Sequence, residues 1–147
     1  MPVFVSRKAR SSVALRSRQV QTIAERMLRH LEKEEQELSV LLTDDAFIQT
    51  LNEAHRGKDR PTDVLSFAQN EGEGMPTPLD HGLLGDVVIS LDTAERQARG
   101  RKHSLVDEVS FLLAHGILHL LGYDHQTDRE EARMNEMTAR LVESARG

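Results

Sequence analysis

The sequence predicts an α+β fold: a small mixed β-sheet of about four strands surrounded by about five to six helices. Three observations predict it. Apolar residues recur at helical spacing in several segments, each with a polar side. Short apolar runs bounded by Gly, Pro and acidic residues stand between those segments and read as strands. The 147 residues fit one domain, 1–147, with a real core, and no internal repeat divides it.

Val20, Ile23, Ala24, Met27, Leu28 and Leu31 recur at helical spacing, so 17–33 reads as an amphipathic helix. Leu38 to Leu42 is a short apolar run and reads as a buried strand. Thr43 or Asp44 is placed to cap a second helix whose apolar face holds Phe47, Ile48 and Leu51. Val64 to Ala68 and Leu83 to Ser90 read as strands. Between them, 69–82 carries Gly72, Gly74, Pro76 and Pro78 among acidic residues and reads as a surface loop. Asp92 with Glu95 resembles a capping box for a helix ending near Gly100, and Ser104 with Asp107 repeats the signal. In the helix that follows, Val106, Val109, Phe111, Leu112, Leu113, Ile117 and Leu118 cover nearly the whole circumference. A helix apolar all round is buried, so this is the central helix. Thr127 with Glu130 caps a last helix running to about Ala145.

Four Phe, one Tyr and no Trp leave an aliphatic core. The absence of Cys removes disulfides and thiolate metal sites and fits a reducing compartment. No apolar run is long enough to cross a membrane, and no apolar stretch follows Arg7, Lys8 and Arg10, so a cytoplasmic protein is expected. A net charge of −5 argues against a surface coated for nucleic acid, yet the charge is unevenly spread. Residues 1–30 hold seven basic residues and one acid, whereas 103–147 hold four Arg and eight acids. Basic clusters recur at 56–60 and 96–102. Local patches of this kind are compatible with phosphate binding, although charge runs usually lie on solvated faces.

The densest signal is His115-Gly116-Ile117-Leu118-His119-Leu120-Leu121-Gly122-Tyr123-Asp124-His125. His115 and His119 are four apart and share a helix face. Gly122 is suited to the left-handed conformation that ends a helix, after which the chain turns His125 back. Three neutral imidazoles leave a tetrahedral metal one open position, the pattern of catalytic zinc. Imidazole also suits copper, nickel and iron; Zn2+ is expected because it tolerates an open site and is redox-silent. A zinc ion lowers the pKa of bound water to about 7. The spacing matches the zinc-protease pattern His-Glu-x-x-His-x-x-Gly-x-x-His except that Gly116 replaces the Glu that acts as general base, which argues against peptide hydrolysis. Neutral ligands keep the metal's full charge, which favours an anionic substrate such as a phosphodiester, and an arginine nearby would clamp a phosphate.

Together with Arg56-Gly57-Lys58-Asp59-Arg60-Pro61-Thr62-Asp63-Val64-Leu65-Ser66-Phe67 and Leu83-Leu84-Gly85-Asp86, this motif resembles the bacterial YbeY family of endoribonucleases. The resemblance covers roughly residues 52–130. It implies a small sheet surrounded by helices and a zinc-dependent endoribonuclease specific for single strands. It further implies processing of the 3′ end of small-subunit rRNA and late ribosome quality control, with the ribosome or its small subunit as partner. His115, His119 and His125 would ligate the metal, Arg56 would act beside it, and Arg56 with Lys58 would bind substrate. The attacking group is water or the RNA 2′-hydroxyl, the second marked by a cyclic or 2′-linked phosphate. The alternatives are another metal-dependent hydrolase, such as a peptidase, and a non-catalytic assembly factor in which the histidines only hold the fold. Asp63 and Asp86 are strand-end turn residues or hydrogen-bond a ligand histidine; Asp124 orients water or caps a turn; Tyr123 packs in the core or reaches the site. Arg7, Lys8, Arg10, Arg16 and Arg18 are candidate contacts to RNA backbone, in a stretch that lacks the aromatic residues on which single-stranded bases stack.

Overall fold

The computed structural model describes residues 3–8, 15–68, 83–124 and 126–146. The expected loop at 69–82, Arg10 and His125 lie outside them. Four strands, β1 (Val3–Lys8), β2 (Glu37–Thr43), β3 (Val64–Ala68) and β4 (Leu83–Ser90), form one sheet in the order β1-β2-β4-β3. β1 and β4 flank β2 in parallel, while β3 runs antiparallel to β4 at the far edge. Five helices accompany the sheet: α1 (Ser17–His30), α2 (Asp45–Arg56), α3 (Leu91–Arg101), α4 (Leu105–Leu120) and α5 (Asp128–Arg146). The α+β class holds.

Alternation along the strands sorts the core into two layers. Val3, Leu38, Val40, Leu42, Val87 and Ile89 point to one face, where they pack with α1, α4 and α5. Leu65 and Val88 point to the other, where Ile48 of α2 covers them, with Leu41, Leu51 and Phe67 alongside. The core of α1 is the one the apolar spacing predicts, Val20, Ile23, Ala24, Met27 and Leu28. In α4, Val109, Leu112, Leu113, Ile117 and Leu118 are buried as predicted, whereas Val106 and Phe111 are only partly buried.

Two expectations are corrected. β1 was not expected: only Val3, Phe4 and Val5 are apolar, and as an edge strand it leaves Phe4 56% exposed. Its basic residues are engaged within the fold. Arg7 Nη1 donates to Leu15 O at 2.7 Å, and Lys8 Nζ stands 4.3 Å from the centre of the Phe47 ring. The cap of α3 is Ser90, whose Oγ accepts from Thr93 N at 3.3 Å, while Asp92 Oδ2 accepts from Asp45 N across the gap to α2. α3 ends at Arg101, near Gly100 as expected, and Lys102 takes the left-handed cap at φ 59°. The other caps stand as expected. Asp44 Oδ1 accepts from Phe47 N, Ser104 Oγ accepts from Asp107 N, and Thr127 and Glu130 bond reciprocally.

Candidate active site

The site is built on α4. Four-residue spacing puts His115 and His119 on one side of the helix, with ring centres 5.5 Å apart and planes inclined by 70°. One turn earlier, Phe111 stacks on His115 at 5.4 Å and 28°, which restrains that imidazole. The helix then ends in a Schellman motif: Gly122 N donates to His119 O, Tyr123 N donates to Leu118 O, and Gly122 sits at φ 95°. This turn brings Tyr123 and Asp124 to the same cleft as the two histidines.

The facing wall comes from α2 and β3. Arg56 is the last residue of α2, and Gly57 closes the helix at φ 70°. The following turn is pinned from below: the buried Asn52 donates from Nδ2 to Arg60 O, and Gln49 Nε2 donates to Asp59 Oδ1, both at 2.9 Å. Asp63 starts β3 by accepting from Val64 N at 2.7 Å and from Gln97 Nε2 at 3.2 Å. That is the strand-end role. Asp86 alternates with Val87 and Ile89, so it belongs to the α2 face of the sheet, away from α4. Val64, Ser66 and Ala68 of β3 then line the cleft.

The result is an open cleft of about 600 Å³ that gathers Arg56, Ser66, Phe111, His115, His119 and Tyr123. Of the site residues expected from sequence, Arg56, His115 and His119 meet there. Lys58 is exposed in the turn after α2 and is not among the cleft-lining residues. Tyr123 does both things expected of it, packing on the main core while lining the cleft, with the Arg133 guanidinium 5.9 Å from its ring centre. Sequence reasoning placed Phe111 only in the core and passed over Ser66 and Asn52. The signal for Phe111 was its position one turn before His115.

The histidine pair fits a metal in spacing and chemistry. Two imidazoles bound to one tetrahedral zinc at about 2 Å bring their ring centres to roughly 5 Å from each other, close to the 5.5 Å seen. Among the described residues no group of three His, Cys, Asp or Glu is arranged for a metal; the expected third ligand, His125, is outside them.

Gly116 has a packing reason to be glycine. It is buried, and a Cβ there would stand 2.7 Å and 3.0 Å from the γ-methyls of Val87. The glutamate of the protease pattern has no room at this position.

A family model described as Endoribonuclease YbeY matches residues 5–146. Curated proteins named Endoribonuclease YbeY are similar. That of Pelotomaculum thermopropionicum is 54% identical over 101 residues, 69% of this chain and 66% of the relative. That of Aquifex aeolicus is 57% identical over 97 residues, 66% of this chain and 61% of the relative. That of Syntrophotalea carbinolica is 46% identical over 130 residues, 84% and 85% of the two chains. The matched stretches therefore span about two thirds of the first two relatives and more of the third. The solution structure of a Thermotoga maritima protein is similar at a TM-score of 0.64 and 27% identity, covering 97% of this chain and 88% of that one. With a family model spanning nearly its whole length, this chain belongs to the YbeY endoribonuclease family.

Proposed function

We propose that this chain is a zinc-dependent endoribonuclease that cuts single-stranded RNA in the cytoplasm, acting on the 3′ end of small-subunit rRNA and in late ribosome quality control. The observation that carries the reading is the meeting of Arg56 with His115 and His119 in one cleft of a chain from an endoribonuclease family. His115 and His119, with His125 as the expected third ligand, would hold the metal. When bound, zinc supplies a Lewis acid that polarises a phosphoryl oxygen and offsets charge developing there.

The chain's own residues do the rest. Arg56 presents a planar fork that matches two phosphate oxygens and holds the scissile or a flanking phosphate at the cleft. Phe111 fixes the plane of His115 by stacking. The Schellman turn fixes the direction in which the chain leaves His119 towards His125. An open cleft suits an extended strand better than a small molecule, which a closed pocket surrounds.

The test is RNA cleavage by Arg56→Ala. Loss of one donor to a charge-developing oxygen costs about 100-fold or more in kcat. Unchanged cleavage and unchanged RNA affinity would remove Arg56 from the mechanism.

A further inference from the structure

Glu108, in the first turn of α4, is a carboxylate with no exposed surface. Burying it is expensive unless partners repay the desolvation. One partner, Arg101, is the last residue of α3, and the other, His103, lies in the turn to α4. His103 Nε2 lies 2.6 Å from Oε1, and Arg101 Nη1 donates to Oε2 at 3.2 Å and, more weakly, to Oε1 at 3.4 Å. The left-handed Lys102 between them makes the turn that aims both side chains at one carboxylate. The pairing fixes the positions of both side chains against the first turn of α4.

What it holds is a guanidinium beside the cleft. The Arg101 guanidinium carbon stands 5.4 Å from the centre of the Phe111 ring. Phe111 lines the cleft and stacks in turn on His115. Arg101 is therefore one ring away from the histidine pair. Half of its side chain is exposed. Only Nη1 is engaged; among the described residues the Nε–Nη2 edge makes no hydrogen bond. That edge is the fork that binds two oxygens of one phosphate. Glu108 and Phe111 hold it in a fixed place, which reduces the rotamer entropy lost when it captures a ligand.

We infer that Arg101 is a second phosphate contact for the RNA strand, beyond Arg56, and that buried Glu108 positions it. The inference rests on the endoribonuclease reading above and adds where the strand leaves the cleft: past Phe111, towards the end of α3. Arg101 touches a phosphate next to the scissile one and not the reacting atoms.

The test is equilibrium binding of a fluorescent, unstructured RNA oligonucleotide across a series of salt concentrations. The parent chain would be compared with Arg101→Gln, Arg101→Lys and the double variant Arg101→Gln/Glu108→Gln, in which no buried carboxylate loses its cation. Arg101→Gln and the double variant are expected to bind about tenfold more weakly. Each should flatten the plot of log affinity against log salt by about 0.7, one phosphate contact on a single strand. Arg101→Lys should keep the slope and lose part of the affinity. A folded double variant with the parent's affinity and slope overturns the inference and leaves the endoribonuclease reading standing. A parent chain with no salt-dependent RNA binding overturns both.

Discussion

The two γ-methyls of Val87 on β4 leave no space for a side chain at Gly116. Gly116→Ala is expected to cost about 1–3 kcal/mol, the usual penalty of overpacking a core, read as a lowered urea midpoint at unchanged slope. Gly116→Glu, which completes the protease pattern in sequence, should fail to fold and give no zinc-dependent casein hydrolysis; a folded, casein-cleaving variant would contradict the packing. Gly122 is constrained for a different reason. Nothing lies within 4 Å of a Cβ there, but φ is 95°, so Gly122→Ala should cost about 1–2 kcal/mol through backbone strain alone. The role of Gly122 was legible in sequence because helix termination is local. That of Gly116 was half legible: the missing general base is visible in the chain, whereas the Val87 contact joins residues that only the fold brings together.

Among the elements, α3 is where local signals misled. Its C-terminus is as expected, with Gly100 in the last turn and nothing within 4 Å of an added Cβ. Gly100→Ala should therefore stabilise the protein by about 0.5–1 kcal/mol, visible as a raised Tm. The N-terminus of α3 misled because Asp92 is used by α2, not by its own helix. Asp45 returns the favour, accepting from Ser90 Oγ and Thr93 Oγ1 at 2.6 Å and from Arg96 Nη2 at 2.8 Å. Burial raises the pKa of Asp45, but these hydrogen bonds and the Arg96 charge outweigh it and hold it below the ordinary value of 3.8. A carboxylate with a lowered folded pKa adds stability that is present above its unfolded value and is lost as pH falls through the folded one. Urea melts of the parent and Asp45→Asn should thus differ most above pH 3.8 and converge as the solution is acidified below it. A constant difference across that range would show that the ionised form is not what stabilises the clamp. β1 escaped detection because an edge strand with one buried face and a basic end carries too short an apolar pattern to distinguish it from a charged tail.

At the scale of the whole molecule, the strand order accounts for the site. β3 ends up at the sheet edge beside α4, so the cleft can open between them, and α2 delivers Arg56 to the same place. The histidines announced themselves in eleven consecutive residues, and the Arg56 stretch resembled a family motif; the cleft that unites them with Phe111 and Ser66 depends on an order of strands that periodicity does not reveal. Among the described residues no helix is long and apolar enough to cross a membrane. In the proposed function, RNA cleavage takes place at His115 and His119. The most direct measurement is cleavage of a single-stranded RNA carrying the precursor 3′ end of small-subunit rRNA, by the purified chain and by His115→Ala and His119→Ala, with zinc content and circular dichroism recorded for each. The expected result is cleavage by the parent that disappears together with zinc in both variants while helicity is retained. Intact RNA after incubation with folded, zinc-loaded parent, or variants that cleave as the parent does, would contradict it.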